Sequence, residues 1–194
     1  MKRFLLLSVI LLSLLSCLQA SEPQLLMVVP PELYHDTEFS DPMLALDSAG
    51  IQVTIASTKI GTIKGVIKDS IQSTLLLKDV KFKKFDAICI MGGKGTGKYL
   101  WENEELKKLI QKFEKKGKLI TGICAGAVSL AKAGVLQTKN GTTFPVKGFI
   151  EQLKLNGVVY SPSPVVVDGK YITANGPEGA REFGRTIAKA LQKK

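Results

Sequence analysis

The feature that most constrains this chain is a regular alternation of short apolar runs with longer amphipathic stretches. Four mainly apolar runs of five to seven residues stand at 25–29, 51–56, 85–91 and 118–123. Their length and composition indicate strands buried on both faces of a sheet. Helical patterns lie between and after them, such as 104–116 and 125–132, and glycines close both patterns. The chain therefore predicts an α/β fold: a doubly wound, mostly parallel sheet with helices on both faces.

The remaining elements follow the same pattern. A helix is expected to end at Gly50, short strands around 73–77, further helices over Lys147–Leu155 and 178–193, and a hairpin at Asp168-Gly169 between 158–167 and 171–174. In such a sheet, ligands bind at the carboxyl ends of the strands. The segments expected to form a ligand site are therefore the loop 30–40, the glycine-rich loop after Met91 and the turn at Cys124.

The first twenty residues have the order of an export signal. Lys2 and Arg3 precede an apolar run over 4–15, which is too short for a stop-transfer helix, and small residues follow. Two endings stay open: cleavage before Cys17, which would then carry a lipid, or an ordinary signal-peptidase site at 18–20. We favour the lipoprotein, because a cysteine at the end of an apolar run otherwise needs a separate reason.

Residues 1–20 are thus predicted to be a signal peptide, and residues 21–194 a single domain. The mature protein is expected in the cell envelope, as a lipoprotein held at the membrane through Cys17 or as a soluble periplasmic protein. The charge adds no nucleic-acid partner. Lys and Arg number 27 against 17 Asp and Glu, a formal charge of +10, but the densest lysines lie in or just after the helix pattern 104–116 without interleaved aromatic residues.

Cys124 is the strongest candidate for chemistry. It directly follows an apolar strand and precedes the small residues Ala125, Gly126 and Ala127, as a nucleophile on a sharp strand-to-helix turn requires. The start of the next helix supplies N–H groups that favour a thiolate. The alternative is a cysteine that is merely packed at a tight turn. Cys89 lies inside a buried strand and is expected to be inert.

Glu38 and His35 share the loop after the first strand. Glu38 either satisfies free N–H groups at a helix start or lies beside Cys124. An ionised carboxylate would repel a thiolate, so a partner Glu38 should be neutral or share a proton with the sulfur. His35 is the only histidine and hence a possible auxiliary group, with an exposed loop side chain as the alternative.

The glycine-rich stretch 92–98 has the spacing of a phosphate-binding loop, but Tyr99 stands where that loop needs Ser or Thr to ligate magnesium. We interpret Gly92 and Gly93 instead as residues that turn backbone N–H groups toward the Cys124 sulfur or an oxyanion. No His, Cys and carboxylate cluster has metal-ligand spacing, so no metal and no cofactor are predicted.

The chain resembles the DJ-1/ThiJ/PfpI family, which has a flavodoxin-like, glutamine-amidotransferase-like fold, from about Gln24 to Leu191. The matching stretches, in order, are Glu38 with Pro42, 86–93, 122–126, 130–135, 142–145 and 173–177. The resemblance implies a homodimer, an oxidisable Cys124 hydrogen-bonded by Glu38, and oxyanion-type backbone donors at Gly93 and Ala125. Activities of the family include cofactor-independent glyoxalase, deglycase, chaperone, redox-sensing and, in one branch, peptidase functions.

Two positions depart from the family pattern. The peptidase branch has histidine where this chain has Ala125, so a protease is not expected. The glyoxalase and deglycase branch commonly has histidine where this chain has Phe144, which makes the pocket more apolar. The proton shuttle for methylglyoxal isomerisation is then missing unless His35 or Glu38 replaces it.

We therefore expect an exported protein whose Cys124 acts on small electrophiles or oxidants, either an aldehyde or a peroxide. The chemistry would be glyoxalase- or deglycase-like or redox-sensing, and whether it turns over as an enzyme stays open. Two alternatives stay open beside it: a non-catalytic envelope binding or chaperone-like module on the same fold, and a nucleotide-binding protein.

Overall fold

The apolar runs of the sequence form one seven-stranded sheet in the computed structural model, which describes residues 22–193. The signal peptide and the Cys17 lipidation site predicted above lie outside these residues. The strands are β1 (Gln24–Val28), β2 (Gln52–Ser57), β3 (Gly61–Lys64), β4 (Ser70–Ser73), β5 (Leu75–Leu76), β6 (Ala87–Ile90), β7 (Leu119–Ile123), β8 (Asn140–Gly141), β9 (Val159–Tyr160), β10 (Val165–Asp168) and β11 (Tyr171–Ala174).

The main sheet has the order β10-β11-β7-β6-β1-β2-β5, in which only the β10–β11 hairpin is antiparallel. β3 and β4 form a separate hairpin, and β8 pairs with β9. The helices are α1 (Asp36–Ser48), α2 (Lys94–Tyr99), α3 (Glu104–Lys115), α4 (Ala125–Lys132), α5 (Lys147–Leu155) and α6 (Ala180–Gln192). Among residues 22–193, no helix is both long and apolar enough to cross a membrane.

Alternate strand residues enter two cores, one on each face of the sheet. Leu26 and Val28 of β1 face the core under α3, α4 and α5, whereas Leu25 and Met27 face the core under α1 and α6. Such a two-sided core requires apolar residues at successive strand positions, which explains the unbroken apolar runs. The predicted doubly wound, mostly parallel α/β fold is confirmed.

Two segments differ from the predictions. The stretch 158–167 divides into β9 and β10, because Pro162 and Pro164 between them lack the N–H that a continuous strand would donate. The glycine-rich stretch after Met91 is not simply a loop: helix α2 begins at Lys94, immediately after Gly93. A Cβ at Gly95 would overlap the Glu32 carbonyl, so the missing side chain lets this short helix pack against the loop after β1.

The order of the central strands brings three chain segments together. β7, β6 and β1 are parallel neighbours, so the Cys124 turn, the Gly92-Gly93 turn and the loop before α1 leave the same edge of the sheet side by side. This edge is the one that the topology predicts for a ligand site.

Candidate active site

Cys124 occupies a strained turn between β7 and α4. Its backbone has φ 55° and ψ −125°, a conformation that residues with a side chain rarely adopt and that costs about 1–3 kcal/mol. Hydrogen bonds on both sides hold this turn. The Cys124 N–H donates to the Ala174 carbonyl (2.9 Å), Thr143 Oγ1 donates to the Cys124 carbonyl (2.8 Å), and Trp101 Nε1 donates to the Ala125 carbonyl (2.9 Å).

The small residues predicted around the turn are needed for packing. A Cβ at Gly126 would overlap the Ile90 carbonyl oxygen, so only glycine lets the first turn of α4 approach β6 this closely. A Cβ at Gly122 would lie 3.0 Å from the backbone of Gly126. The two glycines therefore fix the distance between the nucleophile turn and the neighbouring strand.

Glu38 lies beside the sulfur of Cys124, as the functional interpretation of the sequence proposed. It is the third residue of α1 and its side chain is 0% exposed. Gly92 stands between the two side chains: a Cβ there would overlap Glu38 Oε2 and lie 2.6 Å from the Cβ of Cys124. Gly92 is thus the residue that lets the carboxyl and the thiol meet.

Burial brings the pKa of the Glu38 carboxyl close to neutral pH. Burial raises the pKa of Glu38 to about 7, although the Cys124 thiol and the Gly92 N–H act in the opposite direction. Neither carboxyl oxygen has a hydrogen bond of standard geometry. At pH values below about 7, Glu38 therefore carries a proton that it can give to the sulfur or to a bound oxygen.

The thiol and the carboxyl titrate as a pair. Burial, and then the negative charge of Glu38, raise the pKa of Cys124, whereas the N–H groups of Ala125 and Gly93 lower it. The helix start alone therefore does not produce the thiolate that the sequence suggested. The pair loses one proton near neutral pH and holds the second more tightly, so a thiolate exists when Glu38 keeps the remaining proton.

The donors at Gly93 and Ala125 lie where the resemblance placed them, since both N–H groups act on the sulfur. Gly93 has φ 114°, and a Cβ there would overlap the Leu33 carbonyl and lie 2.6 Å from the His35 nitrogen. A side chain at this position would therefore displace both the donor and the loop before α1.

His35 lies near the site but is not joined to the sulfur in the way Glu38 is. The residue is half-buried rather than exposed. Its backbone N–H donates to the Gly92 carbonyl (3.3 Å), and the imidazole Nδ1 is buried without a hydrogen-bond partner. Burial lowers the pKa of His35, against the opposing charge of Asp36. The imidazole is therefore neutral at neutral pH, and an auxiliary role for it stays a prediction.

Asp36 is a structural residue of the site that the sequence did not reveal. It is buried, and its carboxylate accepts three backbone N–H groups from the β3–β4 hairpin: Ile67 (3.0 Å), Lys68 (3.2 Å) and Asp69 (2.8 Å). Burial opposes ionisation, but these bonds lower the pKa of Asp36 overall. Asp36 thus fastens the hairpin tip to the start of the helix that carries Glu38.

Phe144 lies near the buried carboxyl of Glu38. A Cβ placed on Gly176, whose φ is 132°, would lie 3.0 Å from Cδ2 of the Phe144 ring and 3.6 Å from Glu38 Oε1. The ring therefore stands close to the buried carboxyl, with 39% of the residue exposed. That Phe144 lines a substrate pocket stays a prediction.

The glycine stretch does not present its lysine and tyrosine as a phosphate-binding loop would. Tyr99 donates to Glu32 Oε1 (2.6 Å), and Lys98 Nζ lies 3.6 Å from the same oxygen. An acidic side chain thus occupies the position beside the cation that an anionic phosphate would need. In the described part of the chain, no group of three or more His, Cys, Asp or Glu side chains is arranged to hold a metal.

Comparisons with known proteins identify the family of this chain. The model of the DJ-1/PfpI family matches residues 24–190. An uncharacterized protein of Methanocaldococcus jannaschii is 39% identical over 88% of this chain and 83% of its own length. A deglycase of Pyrococcus horikoshii is 31% identical over 82% of this chain and 94% of the relative. A glutathione-independent glyoxalase of Caenorhabditis elegans is 32% identical over 89% and 91%.

A solved structure shows the same fold. The crystal structure of a ThiJ/PfpI domain protein from Brachyspira murdochii superposes with a TM-score of 0.86 and 27% sequence identity. The superposition covers 90% of this chain and 99% of that protein. The similarity thus extends through the whole sheet and its helices.

Proposed function

Because this chain belongs to the DJ-1/PfpI family, we propose that its Cys124 carries out cofactor-independent thiol chemistry on small reactive carbonyl compounds. The observation that carries the proposal is the buried Cys124–Glu38 pair, in which the carboxyl lies beside the thiol and the Gly93 and Ala125 N–H groups act on the sulfur. Relatives named as a deglycase and as a glutathione-independent glyoxalase support the choice of carbonyl compounds.

In the proposed step, the Cys124 sulfur attacks the aldehyde carbon and forms a carbon–sulfur bond while the carbonyl π bond breaks. The oxygen takes the proton of the pair and becomes the hydroxyl of a hemithioacetal. The Gly93 and Ala125 N–H groups, which act on the Cys124 sulfur in the free protein, would stabilise the negative charge on that oxygen before the proton arrives. Glu38 is left as a carboxylate, which can receive a proton from the adduct and return it to a neighbouring carbon.

Oxidation is a second candidate, favoured by the same donors. The thiolate would attack a peroxide oxygen, the oxygen–oxygen bond would break, and Glu38 would protonate the departing hydroxide to water. The resulting sulfenic oxygen would lie near the Gly93 and Ala125 N–H groups. Both candidates need the thiol, the carboxyl and the two donors, and neither needs a histidine.

We also propose export to the cell envelope and a homodimer. Export is supported by the basic start and apolar run of residues 1–20, with Cys17 as the lipid-bearing residue. Replacing Cys17 with serine should release the protein from membranes; unchanged membrane association would contradict the lipid anchor.

Dimerisation is typical of the family, and the exposed Ile60 and Ile67 near the β3–β4 hairpin suit such a contact. Light scattering that gives the mass of one chain would contradict the dimer.

The carbonyl proposal is tested by following the loss of methylglyoxal in the presence of wild type, Cys124→Ser, Glu38→Gln and, as a matched control, Cys89→Ser. Wild type and Cys89→Ser should consume the aldehyde equally, Cys124→Ser should not, and Glu38→Gln should be slower by about 100-fold. A Cys124→Ser protein that consumes methylglyoxal like wild type would overturn the proposal. Loss no faster than in buffer for every protein would favour the non-catalytic module.

A further inference from the structure

Phe144 is an aromatic residue that stays partly exposed beside a buried polar pair. The residue before it, Thr143, is fully buried and hydrogen-bonds the Cys124 carbonyl, so the chain places Phe144 at a fixed distance from the nucleophile turn. The ring packs against Gly176, and a Cβ built on Gly176 would lie 3.6 Å from a Glu38 oxygen. The ring is thus held near the carboxyl that lies beside the Cys124 sulfur.

The chain continues from this ring as an apolar edge. Val146 N–H donates to the Phe144 carbonyl (2.8 Å), which closes a tight turn at Pro145, and Val146 is 40% exposed. We call residues 144–146 the apolar rim. None of the three side chains can accept or donate a hydrogen bond, so a polar or charged group that lost water against this rim would gain no partner.

Resting on the proposed function, we propose that the apolar rim makes Phe144 the specificity-determining residue of the site. It would select 2-oxoaldehydes that carry an aryl or branched alkyl group over methylglyoxal, whose only substituent is a methyl. The aldehyde carbon reacts with Cys124 in the buried part of the site, and the remainder of the molecule extends toward the rim. An apolar substituent then covers the exposed face of the ring and removes apolar surface from water.

The site geometry explains why this selection falls on Phe144 rather than on the buried residues. Gly92, Gly93 and Gly176 contribute no side chains, and Glu38 and Cys124 are committed to the reacting atoms. Phe144 is the large, partly exposed apolar side chain that these residues leave beside the carboxyl. Hydrophobic discrimination of this kind is worth about 10–200-fold per methylene-sized difference, so we expect a preference of at least tenfold for the aryl compound.

The test measures how well each aldehyde protects Cys124 in the native full-length protein from alkylation by iodoacetamide, with Cys124 followed by peptide mass spectrometry. The half-protecting concentrations of phenylglyoxal and methylglyoxal are compared. Each is divided by the concentration of the same aldehyde that half-protects the thiol of N-acetylcysteine, which removes the difference in intrinsic reactivity. Wild type should favour phenylglyoxal by about tenfold or more. Phe144→Ala should reduce this preference about tenfold, Phe144→Leu should retain part of it, and Val167→Ala, an exposed apolar control on β10, should retain all of it.

Each result separates the two proposals. Equal preferences in wild type and Phe144→Ala, with Cys124 protected by both aldehydes, would overturn the role of Phe144 and leave the carbonyl chemistry standing. No protection by either aldehyde, or no alkylation of Cys124 in the native protein, would overturn the proposed function and the specificity with it. A loss of preference in Val167→Ala that is as large as the loss in Phe144→Ala would also overturn the assignment to the rim.

Discussion

Replacing Glu38 with glutamine changes the pH dependence of stability in a direction that the site geometry fixes. Glu38 is fully buried in the folded protein and burial raises its pKa to about 7, against an ordinary value of 4.5. Between these pH values the folded protein keeps a proton that the unfolded chain has lost. The free energy of unfolding of the wild type therefore falls as pH rises from about 4.5 to about 7, and Glu38→Gln lacks this fall.

The size of the effect follows from the two pKa values. They differ by about 2.5 units, and each unit corresponds to 1.36 kcal/mol, so the ionised Glu38 destabilises the fold by about 3 kcal/mol at pH 8. At pH 4.5 and below, almost none of this penalty remains. Glutamine has the same shape and no titrating proton, so any fixed cost of its amide cancels when the two pH values are compared.

The assay is urea unfolding of wild type and Glu38→Gln at pH 4.5, 6, 7 and 8. Relative to wild type, the variant should gain about 3 kcal/mol between the lowest and the highest pH. The same pair in a Cys124→Ser background removes thiol titration and should show the same sign, because burial is the largest cause of the raised pKa of Glu38. A constant difference between variant and wild type at all four pH values would refute the buried, proton-holding carboxyl.

Three further predictions concern the turn, the hairpin and the second cysteine. Gly126→Ala should destabilise the protein by about 2 kcal/mol or more, because the added methyl group would meet the Ile90 carbonyl. The control Gly148→Ala meets nothing within 4 Å and should change the midpoint of thermal unfolding little. Similar effects of the two variants would contradict the packing of the turn. Asp36→Asn should speed amide hydrogen exchange at Ile67, Lys68 and Asp69, and the wild type should lose this protection as pH falls through the lowered pKa of Asp36; unchanged exchange would contradict the clamp. Graded peroxide should oxidise Cys124 before Cys89, because Cys89 is 0% exposed inside β6, whereas Cys124 is 7% exposed and has the Gly93 and Ala125 N–H groups at its sulfur; preferential oxidation of Cys89, measured by peptide mass spectrometry, would contradict the assignment.

The sequence predicts the elements well where glycines mark their ends. Helix 125–132 is observed as Ala125–Lys132, and Gly134 follows it in the left-handed conformation that stops a helix. Helix Lys147–Leu155 also has the predicted bounds. These signals are local, so they can be recognised without the fold.

The parts that the sequence does not predict depend on contacts between distant segments. Asp36 looks like an ordinary helix-start carboxylate until the β3–β4 hairpin folds over it. The hydrogen bonds from Thr143 and Trp101 to the Cys124 turn join residues 19 and 24 positions apart. The position of Phe144 is set by Gly176, far along the chain. The approach of Cys124 and Glu38 was predictable because each follows a recognisable strand, but the residues that hold them in place were not.

The pH profile of Cys124 alkylation tests most directly the claim that Cys124 and Glu38 titrate as a coupled pair. Iodoacetamide is applied to native wild type and Glu38→Gln from pH 5 to pH 9, and the alkylation rates of Cys124 and Cys89 are measured by peptide mass spectrometry. In wild type, the Cys124 rate should still be rising at pH 9, because burial and the charge of Glu38 raise the pKa of Cys124, while Cys89, which is 0% exposed, stays unreactive. In Glu38→Gln the Cys124 rate at pH 8 to 9 should be higher than in wild type, because the variant lacks the negative charge that raises the pKa of Cys124. Equal Cys124 rates in both proteins at every pH would contradict the coupling of the thiol and the carboxyl and, with it, the account of the site.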